Sequence, residues 1–541
     1  FGVGRSSTVV VQRSADEYRL STNGLPESAI QGPGGRSSRY AIARWLALLP
    51  SAARPDAESA MVIGFGAGIT VDAFPPRITR VVVAELESEV IRANRSLTGQ
   101  RLFDPFADPR VRVVENDARN LLATTDERYD LIVSQPSHPW TAGASNLFTR
   151  EFFQLADSRL TESGVFLQWI GLRFVDLDLF TSLVATLRDT FAHVEVYRPP
   201  PSGAALLVAS QSPIGLQNAL ARSWATDAEA WFDAGVHGVR DVPIARWLDE
   251  NATRGLAARG EISTDYDNLM ATRAPWLLGK NREKIPPVLA APDPIAALQA
   301  SSPDLYPLRR LLALRQTERA RAALDAVPAA WHDVAEGLWD LARDNRLQAV
   351  QRLRAQLASP STVARSEAAS ALLVHHAGRR TGVPRYLVET LRREHPQLEA
   401  ILDAWQRLRL GDPGGAAELD DRLAMIDGTH PAYFLALRLR LMWRLRSGDP
   451  ADAREALRLM RPAVDLSAGP RALLLRSELA EAAEEWAVLL ASLAEIAHKA
   501  ERRGTMPPNL ADRVRRLRHD DRFQDASWQE VWSAFDALTD S

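Results

Sequence analysis

Three groups of residues in this 541-residue chain have the types and spacing to hold a nucleoside. The first is Val62-Ile63-Gly64-Phe65-Gly66-Ala67-Gly68, an apolar run that breaks into alternating glycines. Glycine lets the backbone approach a ligand where a Cβ would clash. The second is Glu85, at the end of the apolar run Arg80 to Ala84, where a carboxylate accepts both hydroxyls of a ribose. The third is Asp117 in Glu115-Asn116-Asp117-Ala118, placed to accept an adenine amino group. The expected nucleoside-binding set is therefore Gly64, Phe65, Gly66, Gly68, Glu85, Asp117 and Ala118. A Gly-x-Gly-x-Gly run also serves NAD. The position of Asp117 and the Pro-containing loop Gln135-Pro136-Ser137-His138-Pro139 favour an adenosylmethionine-type ligand instead.

The elements that must carry these residues follow from periodicity. Met61 to Ile63, Arg80 to Ala84, Val111 to Val114, Leu131 to Val133, Gly164 to Trp169 and Val194 to Tyr197 read as short buried strands. Helical stretches separate them: from about Ile69, Ser88 to Leu97, Ala118 to Ala123, Thr149 to Leu160, and Asp176 to Thr190. Such alternation predicts a Rossmann-like, doubly wound parallel sheet covered on both faces. Ala204 to Ala209 reads as one more strand, with Pro199 to Gly203 as a hairpin turn inside the sheet. Ahead of this block, Thr8 to Gln12 and Tyr18 to Ser21 are strands, and Thr22-Asn23-Gly24 is a turn. A Gly/Ser-rich loop over Gln31 to Ser38 and a helix over Tyr40 to Leu49 follow.

From about Pro303 the chain is helical by period and rich in Ala, Leu, Arg and Glu. Leu410-Gly411-Asp412-Pro413 and Arg446-Ser447-Gly448-Asp449-Pro450 repeat one turn, with Gly411 and Gly448 37 residues apart. That is near the ~34 of tetratricopeptide repeats. Trp339 to Ala349 is a looser third copy; an unrelated helical bundle is the alternative. With a boundary placed in Lys280 to Pro294, the expected organisation is a β-hairpin region with a linking helix over 1–58, a nucleoside-binding domain over 59–285 and an all-α repeat domain over 300–541.

Composition excludes several classes. No cysteine is present, so disulfides, thiolate zinc sites and cysteine nucleophiles are out. A net charge of -3 gives no global field for nucleic acid or an anionic membrane. No apolar run reaches the ~18–20 residues of a membrane helix; the best, Tyr40 to Pro50, is interrupted by Arg44. No signal peptide is visible, and a first residue Phe1 suggests a fragment or processed product.

Val62 to Gly68, Glu85, Asp117-Ala118-Arg119-Asn120, Asp130 to Val133, Leu147-Phe148-Thr149-Arg150-Glu151-Phe152-Phe153 and Gly164 to Trp169 together resemble the spermidine synthases, polyamine aminopropyltransferases. Asn23-Gly24, Ser137 to Trp140 and the stretch from Thr264-Asp265 to Ala274-Pro275 resemble a bacterial subgroup often fused to a membrane-embedded N-terminal half. The resemblance covers roughly residues 1–280. It implies a donor, S-adenosylmethionine or its decarboxylated form, with no metal. It also implies a homodimer, and a cytoplasmic protein tethered to a membrane through a segment outside this chain.

The chain departs from that family where polyamine chemistry resides. The resemblance implies an acid at Ala67 to hold the aminopropyl donor, a base at Gln135, a second acid at His138 and a nucleoside-touching Gln at Glu27. Aminopropyl transfer needs carboxylates to hold cations and one to take a proton. Gln135 is a poor base, whereas His138, with an ordinary pKa of ~6.5, can act as one. Gln135 and His138 are therefore the expected catalytic positions, and Trp140 is placed to cover a sulfonium. The expected function is a transferase using an adenosylmethionine-type donor and an unidentified small-molecule acceptor. Three alternatives stand beside it. One is methyl transfer. Another is aminopropyl transfer with Glu27 or Asp130 compensating. The last is a non-catalytic nucleoside sensor whose helical repeat binds a protein partner. Thr264 and Asp265 read most simply as helix caps.

Overall fold

A computed structural model describes residues 2–4, 7–14, 17–34, 41–141, 143–199, 203–277, 293–379, 381–411, 416–467, 470–501 and 510–539. The chain divides into two compact units, Phe1–Pro294 together with Ala500–Ser541, and Ile295–Lys499. The final helices thus group with the first unit, not with the helices before them as the 300–541 boundary supposed. The expected boundary at Lys280 to Pro294 lies largely outside the described residues, and Gly35 to Ser38 of the expected loop and Pro200 to Ser202 lie outside them.

A small antiparallel sheet opens the first unit: β1 (Gly2–Val3), β2 (Thr8–Ser14), β3 (Glu17–Thr22) and β4 (Leu25–Gln31), in that order. Asn23 and Gly24 hold φ of 50° and 76°, the left-handed pair that a tight two-residue hairpin requires. Strand β4 escapes sequence reading because Pro26, Glu27 and Ser28 look like a loop. A register shift at Leu20/Ser21 admits Pro26 opposite Ser21, and the strand continues.

The main sheet contains β5 (Ser59–Ile63), β6 (Arg80–Glu85), β7 (Val111–Glu115), β8 (Tyr129–Ser134), β9 (Leu160–Gly171), β10 (His193–Tyr197), β11 (Ala204–Ser210) and β12 (Arg246–Leu248). Their order is β12-β10-β11-β9-β8-β5-β6-β7. Strands β5 to β9 pair in parallel, whereas β10, β11 and β12 run antiparallel to their neighbours. The sheet is therefore Rossmann-like but mixed, because the β10–β11 connection is a hairpin that reverses direction, not a helical crossover.

Period-2 alternation builds two cores. Met61 and Ile63 of β5, Ile132 of β8 and Phe166 of β9 face one side, where they meet Phe152 and Phe153 of helix Arg150–Ser158 and Leu183 of helix Leu177–Thr190. Ala60, Val62, Leu131, Val133 and Leu167 face the other, against Trp45 to Leu49 of helix Ala41–Ala53. Truncating any of the fully buried phenylalanines to Ala costs about 3–5 kcal/mol. The helix expected from Ile69 is only Ile69–Asp72, because Pro75 and Pro76 stop it.

The second unit is a succession of helix pairs. Gly411 (φ 74°) ends helix Pro396–Leu410, and Gly448 (φ 73°) ends helix Tyr433–Ser447. The next helices are Ala416–Ala424 and Pro450–Ser467. In the looser copy Asp344 takes the left-handed position (φ 68°) between helices His332–Ala342 and Arg346–Gln356. Among the described residues, no helix is long and apolar enough to cross a membrane.

Candidate functional site

Parallel pairing puts the carboxyl ends of β8, β5, β6 and β7 side by side, with Ile63 level with Ala84 and Ser134, and Glu85 level with Glu115. The residues that follow these ends surround a cavity of about 290 Å³. Gly64, Phe65, Gly66 and Ala67 line it from the β5 end, Glu85 and Glu87 from β6, Asn116, Asp117 and Ala118 from β7, and Gln135, Pro136 and Ser137 from β8. Thr22, Glu27 and Ser28 of the β3–β4 hairpin form another wall, and Trp169 of β9 lies at the β8 side. Gly68 does not line the cavity. It starts helix Ile69–Asp72 at φ 77°, where a Cβ would press on Pro105 at 3.2 Å.

The loop is pinned by its carbonyls. Gln135 Nε2 donates to the Gly64 carbonyl (2.8 Å), Asn94 Nδ2 to that of Gly66 (2.8 Å), and Arg101 Nη2 to that of Ala67 (2.6 Å). The Gly68 N–H closes onto the Phe65 carbonyl. Arg101 also reaches Asn94 Oδ1 at 2.8 Å, and burial pulls its guanidinium down to about 10, still charged at neutral pH. Gly64 stands at φ 89°, and a Cβ there would lie 2.8 Å from the Gln135 carbonyl oxygen. Asn94 and Arg101 carry no local motif, so sequence reasoning misses them; only their position behind the loop reveals them.

Glu85 is buried, and that burial pushes its carboxyl up to about 7. Its Oε2 accepts from the Phe65 N–H and its Oε1 from the Glu87 N–H, both at 2.8 Å, which opposes the rise. Asp117 is exposed at the β7 end, where Oδ1 caps helix Ala118–Thr124 by accepting from the Asn120 N–H at 3.1 Å. Glu87 is held by the backbone N–H and hydroxyl of Ser7, each 3.0 Å away.

Gln135 lines the cavity with both ends of its amide engaged, since Oε1 accepts from Thr70 Oγ1 at 2.7 Å. His138 lies outside the cavity lining. Its ring stacks on Trp140 (4.9 Å, 9° between planes) and meets the edge of Phe174 at 4.7 Å. Neither ring nitrogen has a hydrogen-bond partner among the described residues, and burial pulls its pKa down. Asp130 sits at the opposite end of β8, accepting from the Glu58 and Ser59 N–H groups and from the hydroxyls of Ser59 and Thr161, so it cannot serve the cavity. Asp265 caps no helix; Asn268 caps the next one. Asp265 instead accepts both Nη atoms of Arg119 and the Thr149 hydroxyl, bracing the helix that follows Asp117.

Residues 40–200 match the spermine/spermidine synthase domain. A polyamine aminopropyltransferase of Synechococcus sp. strain JA-3-3Ab is 38% identical over 145 residues, 25% of this chain and 46% of that protein. A polyamine aminopropyltransferase 1 of Pseudomonas aeruginosa is 25% identical over 213 residues, 39% of this chain and 68% of that protein. The chain thus spans about half the length (46%) of the first of these relatives. The crystal structure of a probable spermidine synthase from Corynebacterium glutamicum aligns over 49% of this chain and 95% of its own, at 22% identity and a TM-score of 0.37.

Proposed function

We propose, from the premise that residues 40–200 are a spermine/spermidine synthase domain, that this chain transfers an alkyl group from an adenosyl sulfonium to a small-molecule acceptor. One observation carries the reading. The glycine loop, Glu85 and Asp117 come from three adjacent strand ends and line a single cavity. Backbone at Gly64 to Ala67 admits the nucleoside closely. Glu85, turned into the cavity by two backbone N–H groups, accepts the ribose hydroxyls. Asp117 and Asn116 border the space for the base.

The donor's charge follows from the lining. Four carboxylates, Glu27, Glu85, Glu87 and Asp117, border the cavity, and no lysine, arginine or histidine does among the described residues. Such a wall favours a sulfonium with a free amine and offers the carboxylate of S-adenosylmethionine no partner. Decarboxylated S-adenosylmethionine is therefore the preferred donor. The acids that the resemblance implies at Ala67 and His138 are absent, and Glu27 and Glu87 bring carboxylates to the same wall from other elements. Attack on the carbon beside sulfur breaks the C–S bond, and the electron pair neutralises the sulfonium.

Calorimetry against S-adenosylmethionine, its decarboxylated form and methylthioadenosine tests this. Tighter binding of the decarboxylated donor than of S-adenosylmethionine is the expected result. The reverse order would favour methyl transfer, and no binding of any of the three would end the reading.

A further inference from the structure

We propose that Glu27 is the catalytic carboxylate that takes the proton from an attacking amine, a role that rests on the transfer function above. Strand order fixes where that chemistry lies. The nucleoside end belongs to the ends of β6 and β7, where Glu85 closes one strand and Asp117 follows the other, and the glycine loop stands at β5. The transferable end therefore extends toward β8 and β9, where Ser137 and Trp169 border the cavity. Glu27 reaches the same place from β4. The Ser137 hydroxyl donates to its Oε1 at 2.5 Å, and the Thr22 hydroxyl donates to the same oxygen.

The other polar groups of the wall stand apart from that place or are engaged. Glu85 and Asp117 lie at the nucleoside end, and Glu87 holds Ser7. Gln135 spends its amide on Gly64 and Thr70, and His138 lies outside the lining. Among the described residues Glu27 accepts hydrogen bonds only from these two hydroxyls, both at Oε1, and its Oε2 carries none. It is half-buried, so an acceptor can reach it.

The step balances as follows. The amine lone pair attacks the carbon beside the sulfonium, forming C–N as C–S breaks. The electron pair stays on sulfur, which leaves as a neutral thioether. The proton shed by the new ammonium goes to Glu27, directly or through Ser137 Oγ. No oxidant or further reactant is required.

The test follows methylthioadenosine release from decarboxylated S-adenosylmethionine with putrescine, 1,3-diaminopropane, cadaverine or spermidine as acceptor. Glu27→Gln is expected to lower kcat by about 100-fold or more while leaving the Kd for methylthioadenosine within about twofold, and Glu27→Asp to recover part of kcat. Unchanged kcat in Glu27→Gln overturns the proposal, and so does a parallel loss of methylthioadenosine binding without rescue by Glu27→Asp. Absence of release by the wild-type chain with every amine also overturns it. In that case retained methylthioadenosine binding leaves the nucleoside cavity standing, whereas its loss removes the underlying reading too.

Discussion

Gln135 holds Gly64 and leaves it no room for a side chain: its Nε2 donates to the Gly64 carbonyl at 2.8 Å, and its own carbonyl oxygen lies where a Gly64 Cβ would come within 2.8 Å. The residue at which the resemblance implies a base is thus a clamp on the glycine loop. Were Gln135 only a base position without its carboxylate, Gln135→Asp would gain putrescine turnover. The clamp predicts otherwise. Aspartate is a methylene shorter, has no donor for the Gly64 carbonyl and brings a negative charge toward it. Loss of about 1–3 kcal/mol in denaturant unfolding and weaker methylthioadenosine binding are expected, with no gain of putrescine turnover. A gain of turnover with unaltered stability would contradict the clamp.

Glu85 gives the site a pH dependence of definite sign. Burial raises its carboxyl from about 4.5 in the unfolded chain to about 7. Between those values the folded chain binds more protons, so the stability owed to Glu85 is complete below pH 4.5 and is lost as pH climbs through 7. Ribose hydroxyls donate to the ionised form, so methylthioadenosine affinity should move the other way. It should tighten toward pH 8, by up to about tenfold per unit below 7, with proton release on binding. Calorimetry in two buffers of different ionisation enthalpy measures that release. Glu85→Gln should abolish it and flatten the profile; a profile that keeps its slope in this variant would assign the titration elsewhere.

Much of the cavity's edge was legible because it depends on local pattern. Apolar runs ending in glycine or acid announce β5, β6 and β7, and parallel pairing does the rest. What pins the edge was not legible. Asn94 and Arg101 hold the loop carbonyls from a helix and a turn with no motif, and β4 hides behind Pro26 until a register shift accommodates it. The hairpin expected at Pro199 to Gly203 announced the antiparallel β10–β11 pair, whereas β12 was hidden, since three residues are too few to show a period. Thr264-Asp265 looked like a cap because short polar residues before an apolar stretch usually are; the partner that claims Asp265, Arg119, is 146 residues away.

That pair makes a third prediction. Arg119 holds the Asp265 carboxyl below the usual carboxylate range through a two-pronged hydrogen bond, with Thr149 adding another. Stability from this contact is present above about pH 4 and lost as pH falls. Both side chains are partly exposed, so Asp265→Ala should cost only about 0.5–1 kcal/mol globally. The local effect should be larger: faster hydrogen exchange at the first amides of helix Ala118–Thr124, beside Asp117. Uniform exchange rates across the unit would remove the bracing role.

In the helical unit the repeated turn makes the last prediction. Gly411 and Gly448 occupy left-handed backbone at φ 74° and 73°, where no Cβ is present to clash. The looser copy puts Asp344 in the same conformation at φ 68°. An L-residue there costs about 1 kcal/mol relative to glycine. The contact that aspartate gains, to Arg346 Nε at 2.6 Å, joins two well-exposed side chains and contributes little. Asp344→Gly should therefore stabilise the unit by a few tenths to about 1 kcal/mol, and Gly448→Ala should destabilise it by about 1 kcal/mol. Thermal unfolding of the full chain reads both, and the two shifts must have opposite signs if backbone conformation at these turns governs them. Destabilisation by both substitutions would show that the Asp344 carboxylate, not its backbone, holds that turn.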